Sequence, residues 1–178
     1  MNMSGTSGMG LLLKFPIHLP LLQLKNNIMS EITFHKATLD DVDAYLAIEQ
    51  KVIHLRMYSG ISDREEARED FATNEVYLIK KDGVVIGSTE YQIQEGGIVY
   101  MSGLVIDPDF QGLGIARKAI EFRLSLVGDA KRMYVVTHPH NSKVIGMYLS
   151  YGFMIESWKD DYYGDGEPRL ILVFDRSK

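Results

Sequence analysis

Hydrophobic and polar positions repeat along this chain with two periods, about 2 residues in strands and about 3.6 in helices. Residues 31–36 alternate, with Ile32 and Phe34 on one side, and predict a first strand. Thr38-Leu-Asp-Asp41 is a capping-box pattern with an acidic third position. The helix it opens should run to about Ile53, with Val42, Tyr45, Leu46 and Ile48 on one side. After a loop carrying Arg56, Met57, Tyr58 and Gly60, a second capping box, Ser62-Asp-Arg-Glu65, predicts a short acidic helix ending near Thr73. Residues 76–80 and 84–94 read as strands joined by a Gly-containing turn at Lys81-Asp82-Gly83. Beyond Gly96-Gly97, residues 98–106 form a nearly continuous apolar run, the pattern of one strand buried on both faces. A helix over 113–127, a strand over 132–137 and a helix over 141–151 follow, the last closed by Gly152. Two strands over 153–158 and 169–174 complete the order β-α-α-β-β-β-α-β-α-β-β, which predicts one mixed-sheet α/β domain.

The first thirty residues stand apart. The apolar stretch 10–24 is interrupted by Lys14, Pro16, His18 and Pro20, and falls short of the roughly 20 apolar residues that cross a bilayer as a helix. No positive charge precedes it, as a secretory signal would require. Residues 1–29 therefore read as a flexible leader or an over-extended start, with Met29 the natural beginning and a domain over residues 30–178. The alternatives are a hydrophobic arm laid on a neighbouring subunit of a homodimer, and a targeting segment.

The 178 residues are 46% hydrophobic and 24% charged, an ordinary globular composition. Beyond the leader, about 150 residues suffice for one core that buries roughly 70% of the unfolded chain's surface. With no cysteine, a disulfide scaffold, a thiolate metal site and a cysteine nucleophile are excluded. The net charge is −5, and Lys14 and Lys25 are the only charges before Glu31, so the domain proper is more acidic still. Nucleic-acid binding needs a cationic surface to displace counterions, so a domain this acidic is a poor candidate for general nucleic-acid binding, none is expected, and cationic partners such as amines suit it better. A cytoplasmic setting away from membranes is expected.

The chemistry concentrates in residues 105–118, where a buried strand passes through an Asp-Pro turn into a glycine-rich helix start. Gly112, Gly114 and Ala116 leave room for a ligand to approach the backbone, and the free N–H groups of the first helical turn form an anion site suited to phosphates. The Gly-Lys-Ser/Thr of nucleotide hydrolases and the G-x-G-x-x-G of dinucleotide folds are both absent.

This loop resembles the acetyl-CoA loop of the GNAT superfamily of N-acetyltransferases: Gln or Arg, two residues, Gly, one residue, then Gly or Ala. Here it reads Gln111-Gly-Leu-Gly-Ile-Ala116. A second family pattern, Asn, Tyr seven residues on, then Gly-Phe, is present as Asn141, Tyr148 and Gly152-Phe153. The resemblance spans residues 32–173 and is closest to ribosomal-protein and N-terminal amine acetyltransferases. It implies a single GNAT-like α/β (α+β) domain, with a mixed, mostly antiparallel sheet of about seven strands flanked by helices. Acetyl-CoA would be the cosubstrate, with no metal.

By the same resemblance, Leu104, Val105 and Ile106 offer backbone groups to the pantetheine arm. Gln111, Gly112, Leu113 and Gly114, then Ile115, Ala116 and Arg117, hold the pyrophosphate. Asn141 contacts the cofactor arm, a role that can coexist with that of a helix N-cap. Tyr148 matches the general acid that protonates the departing thiolate. A phenol near pKa 10 and a thiol near 8.5 differ by about 1.5 units, so that transfer is uphill by about 2 kcal/mol. A hydrogen bond aimed at the sulfur could offset this. The competing reading of Tyr148 is an aromatic core position, since Val144, Tyr148 and Tyr151 share a helical stripe.

The base departs from the family pattern. Ribosomal-protein-type relatives carry a glutamate five residues before the motif asparagine, where this chain has Val136. The substitutes are His138 and His140 in Thr137-His-Pro-His140, Glu90 on a central strand, or a water relay through Tyr100 or Ser102.

An attacking amine must be neutral. A lysine or polyamine amine is about 0.04% neutral at pH 7, an α-amine about ten per cent or more, so a site without an evident strong base is less penalised by an α-amine. The segment Asp160-Asp-Tyr-Tyr-Gly-Asp-Gly-Glu-Pro-Arg169 resembles the connection in protein N-terminal acetyltransferases where adjacent tyrosines line a peptide groove. Tyr162 and Tyr163 match that pair; the other reading is a polar hairpin loop. Asp160, Asp161, Asp165 and Glu167 would favour a cationic substrate. The run Asp63, Glu65, Glu66, Glu69 and Asp70 reads first as a solvated helix face, and secondly as field at the same mouth. The expected activity is direct attack of an amine on the thioester in a ternary complex, because no cysteine can carry the acetyl group and no serine motif is evident. The expected acceptor is a peptide or protein amine. The alternatives are a small amine such as a polyamine, and a CoA-binding sensor with little turnover.

Overall fold

The computed structural model describes residues 31–176; the expected leader lies outside the described residues. β1 (Ile32–Lys36) pairs antiparallel with β2 (Glu75–Lys81), and β2 with β3 (Val84–Gln94). At the β2–β3 turn, Asp82 and Gly83 have φ of 51° and 83°, the left-handed pair of a two-residue hairpin. β4 (Ile98–Tyr100), β5 (Leu104–Ile106), β6 (Arg132–Thr137), β7 (Met154–Lys159) and β8 (Arg169–Asp175) complete an eight-stranded sheet. Its order is β1-β2-β3-β4-β6-β8-β7, with β5 also beside β3.

The eighth strand arises because the apolar run 98–106 is broken, where an unbroken strand was expected. β3 pairs with β4 through Gln92–Gln94 and with β5 through Gly87–Thr89. Between these two registers the chain steps aside. Met101 N–H turns to Tyr134 O on β6 at 2.8 Å, and Gly103 O accepts Glu90 N–H of β3 at 2.9 Å. β4 runs parallel to β6, but among the described residues β5 pairs with β3 alone. Beyond Tyr134 the sheet therefore splits between β5 and the end of β6, and the resulting cleft is the useful feature of the fold.

α1 (Val42–Glu49) and α2 (Arg64–Thr73) cover one face, and α3 (Ile115–Leu126) the other. The period-2 alternation of the strands decides this: Leu78 packs with Val42, Tyr45 and Ala67, whereas Ile79 packs with Ile115 and Ala119. Val105 and Ile106 divide in the same way, the first to Ile48 and Val52, the second to α3. α4 (Ser142–Ser150) joins α3 through a cluster containing Ile120, Tyr148 and Phe153. Each fully buried aliphatic or aromatic side chain contributes about 1.5–3 kcal/mol, so the strand ends that face the cleft are firmly held.

Two helix ends differ from expectation. α1 stops at Glu49 rather than near Ile53, because Val52 and Ile53 N–H both return to Glu49 O at 3.1 Å and the chain tightens into turns. α2 is capped one residue later than the Ser62 pattern predicts. Asp63 accepts from Glu65 and Glu66 N–H at 2.8 and 3.0 Å, and Glu66 accepts from Ser62 N–H at 2.8 Å.

Candidate active site

The strand-to-helix loop forms a preorganised anion cradle. Pro108–Phe110 is a 3₁₀ turn opened by Asp107, which accepts Asp109 N–H at 3.1 Å and pairs with Lys51. Gln111 Nε2 ties the loop back to Ile106 O at 3.0 Å. Gly112 and Gly114 have φ of 79° and 77°, and a Cβ at either would meet nothing within 4 Å. Left-handed backbone, not crowding, is what glycine supplies there. The first bond inside α3 runs from Lys118 N–H to Gly114 O at 3.2 Å. The amides of residues 114–117 precede it and stand at the positive end of the helix. A cavity of about 630 Å³ lies along this loop, walled by Leu104, Ile106, Gln111, Gly112, Gly114 and Ala116, with Asn141, Val144 and Met147 opposite. Free amides, an open approach and Arg117 in the wall fit a diphosphate-bearing ligand such as CoA. Leu113 is exposed and outside that wall.

A second cavity of about 370 Å³ shares Met57, Tyr58, Leu104, Asn141 and Val144 with the first. Its lining includes Val105, Glu49, Asp70, Glu90, Ser102 and Tyr148. The Tyr45 hydroxyl lies 2.8 Å from both Asp70 and Glu90. One phenol has one proton to donate, so the second short contact requires a proton on a carboxyl group. Burial, with the Asp70 and Glu49 charges, drives the Glu90 carboxyl well above its usual range. Burial likewise lifts Glu49 to about 7, against the opposing hydrogen bond from Ser88 Oγ at 2.8 Å. Burial also raises Asp70, against hydrogen bonds from Tyr45 and Asn74. Burial thus raises all three carboxyls of the cluster above their ordinary range.

Tyr148 lines the same cavity, and its local sequence explains how it is presented. Gly152 at φ 86° donates to Leu149 O at 3.0 Å, and Phe153 N–H to Tyr148 O at 3.2 Å. This is a Schellman motif with Tyr148 at its C3 position, and the Phe153 ring packs edge-on at 5.0 Å. The Tyr148 hydroxyl accepts from Arg123 Nη2 at 2.5 Å. Arg123 Nη1 donates to Glu90 O at 2.8 Å and Gly103 O at 3.0 Å. Burial raises the Tyr148 phenol, and the Arg123 charge and hydrogen bond oppose that.

The other expected residues divide. His138 is buried but lines neither cavity: Nδ1 accepts His140 N–H at 3.1 Å, and Nε2 lies 3.2 Å from Glu167. Glu167 is held at about 2 by Arg56, which bonds it at 2.8 and 2.9 Å, and by His138, so this histidine anchors the β7–β8 loop. His140 lines the loop cavity, away from the carboxyl cluster. Tyr163 lines the second cavity, 2.7 Å from the Tyr100 hydroxyl, whereas Tyr162 packs edge-on against it outside the lining. Ser102 Oγ donates to Asn74 at 2.8 Å. Asn141 begins α4 through its backbone while its side chain lies 3.4 Å from Thr137 Oγ1, so it makes no side-chain cap. Of the acidic run, Asp70 alone enters the lining.

Arg123, Tyr45, Glu49 and Gly103 were not anticipated. Signals existed for two of them: Glu49 falls on the stripe Val42, Tyr45, Val52, and Arg123 on the stripe Ile115, Ala119, Ile120, Val127. A charge on an apolar stripe marks a buried polar site.

No curated protein sequence matches this chain. Among solved structures, it is similar to the ribosomal-protein-S18-alanine N-acetyltransferase from Escherichia coli, at 18% identity and TM-score 0.69 over 82% of this chain and 94% of that one. Ard1 from Thermoplasma volcanium is similar at 16% identity and TM-score 0.70, over 81% and 97%. So is yncA from Salmonella typhimurium, whose structure holds its cofactor acetyl-CoA, at 17% identity and TM-score 0.65 over 82% and 94%. Among the described residues, no helix is long and apolar enough to cross a membrane and no side-chain group is arranged to hold a metal ion. Residues 46–153 match the Acetyltransferase (GNAT) family, so the chain belongs to this family of acetyl-CoA-dependent acetyltransferases.

Proposed function

We propose that the protein transfers the acetyl group of acetyl-CoA directly to a primary amine in a ternary complex, the amine being that of a peptide or protein. The observation that carries this reading is the pair of adjoining cavities, one along the glycine loop and one bounded by Glu90 and Tyr148. Bound acetyl-CoA supplies an acyl thioester with an electrophilic carbonyl carbon and a thiolate leaving group. The amides of residues 114–117 and Arg117 hold the diphosphate, while Leu104, Ile106 and Asn141 line the arm. The charge of the incoming ammonium group favours the ionised form of Glu90, whose own proton leaves to solvent; the carboxylate then accepts one proton from the ammonium, directly or through a water, and passes it to solvent. A carboxyl group raised by burial is suited to that exchange, whereas a carboxylate at its ordinary value is a weak base. Tyr148 gives its phenolic proton to the sulfur as the C–S bond breaks. The second proton, lost from nitrogen as the C–N bond forms, restores the phenol. The ammonium thus loses two protons, one ending on the CoA thiol and one in solvent. His138 supports the base role less well, since both its ring nitrogens are engaged outside the cavities.

The aromatic wall of Tyr100 and Tyr163 favours a peptide acceptor; the compact volume and the three carboxyls favour, as a second reading, a small polyamine. Thiol release from acetyl-CoA, measured over peptides with free α-amines, polyamines and amino acids at pH 7 and 9, separates them. Release with peptides supports the first reading, and release confined to polyamines supports the second. CoA binding without amine-dependent release refutes both and leaves a sensor.

A further inference from the structure

Arg123 has no solvent exposure, and among the described residues its guanidinium meets no carboxylate. Its partners are the carbonyls of Glu90 and Gly103 and the Tyr148 hydroxyl, and its Nε is the single buried side-chain polar atom left without a partner there. A buried cation without a counterion is expensive, so a structural staple alone is a poor reason to keep one. Arginine has donors only, so the phenol oxygen of Tyr148 must accept from it. That leaves the phenol's own proton free for another acceptor, on a residue that lines the acceptor cavity.

We infer that Arg123 is a positioning residue for acyl transfer: it takes up the acceptor side of the Tyr148 hydroxyl, frees the phenolic proton for the leaving sulfur, and stabilises the phenolate formed as that proton departs. This rests on the acid role of Tyr148 proposed above. The interaction is preorganised and shielded from water, where a fixed cation beside a developing anion acts most strongly. The same guanidinium holds the Glu90 carbonyl of β3 and the Gly103 carbonyl at the strand break, so the base-bearing strand and the acid-bearing helix share one anchor.

The test is a double-mutant cycle on the full chain, with Arg123→Lys, Arg123→Gln and Tyr148→Phe, singly and combined. With Tyr148 present, each Arg123 variant is expected to lower kcat about tenfold or more while KM for acetyl-CoA moves less than about threefold, with Lys less damaging than Gln. In the Tyr148→Phe background the same changes should cost less than about threefold, because the hydroxyl they act through is gone. Equal losses in both backgrounds, or a loss confined to KM, overturn the inference while leaving the acid reading intact. An unchanged kcat in Tyr148→Phe alone removes the acid reading, and this inference with it. If neither Arg123 variant folds, Tyr148→Phe still decides. Deleting the hydroxyl strands a buried donor and should lower the folded-to-unfolded ratio about tenfold or more, and an unchanged unfolding midpoint overturns the contact.

Discussion

Gly103→Ala offers the sharpest test of the acceptor side. A Cβ at Gly103 would lie 2.5 Å from Glu90 Oε1 and 2.6 Å from both its Cδ and Oε2. Comfortable contact begins near 3.5 Å, so the carboxyl group must retreat by about 1 Å. Gly103 is not among the positive-φ glycines, so alanine brings no backbone strain and the effect falls on Glu90 itself. A misplacement of about 1 Å at a reacting group costs about 10²-fold in rate, or about 2.7 kcal/mol. Overpacking should cost about 1–3 kcal/mol of stability as well, seen as a lower melting temperature. The assay is kcat/KM for the amine at saturating acetyl-CoA, with KM for acetyl-CoA as the internal control, because the loop cavity does not include Gly103. Shortening the acid by one methylene, as Glu90→Asp in the Gly103→Ala background, should recover part of the loss. Activity of Gly103→Ala within about threefold of the parent would refute the assignment of Glu90.

Two further expectations follow from the geometry. Gly114→Arg forces a long side chain onto a backbone at φ 77° in the wall of the cofactor cavity, and should abolish CoA binding by calorimetry; retained binding would place the diphosphate elsewhere. Glu49 is raised from 4.5 to about 7, so the folded protein keeps a proton that the unfolded chain releases. Its stabilising contribution is therefore full below about pH 4.5 and is lost as pH rises to about 7, on the order of 3 kcal/mol in total. Glu49→Gln preserves an acceptor for Ser88 and should flatten that loss in urea unfolding between pH 5 and 8; parallel slopes in the two proteins would contradict it.

The strands from Ile32 to Gln94, the hairpin at Asp82-Gly83 and the glycine loop were legible because each depends on local period or on a left-handed residue. The Tyr148 to Phe153 spacing was legible as a family pattern, and its physical content is the helix-ending Schellman motif that presents the tyrosine. The break at 101–103 was not. Met101, Ser102 and Gly103 continue an apolar run, and only the competing demands of β3 and β6 pull their hydrogen bonds in opposite directions. The partners of Glu90 were hidden for the same reason: Tyr45 and Asp70 come to it from two helices, over sequence separations that no local pattern encodes.

Charge placement across β3 gives the site a further coherence. The Glu90 side chain joins the carboxyl cluster on the α1–α2 face, while its backbone carbonyl accepts from Arg123 of α3 on the other. A cluster of three ionised carboxylates would be prohibitively costly at this depth, so at rest it holds protons. In the proposed mechanism an entering ammonium group would supply the missing cation, favour ionisation of the carboxyls, and by the same electrostatics make them the destination for its own proton when the nitrogen must become neutral. On that mechanism, deprotonation of the acceptor and its recognition would be one event. On the other side of the strand, the Arg123 cation is already in place before any phenolate exists. On the proposed mechanism the two sides differ because one would respond to a charge that arrives with the substrate, and the other to a charge that appears only during the reaction.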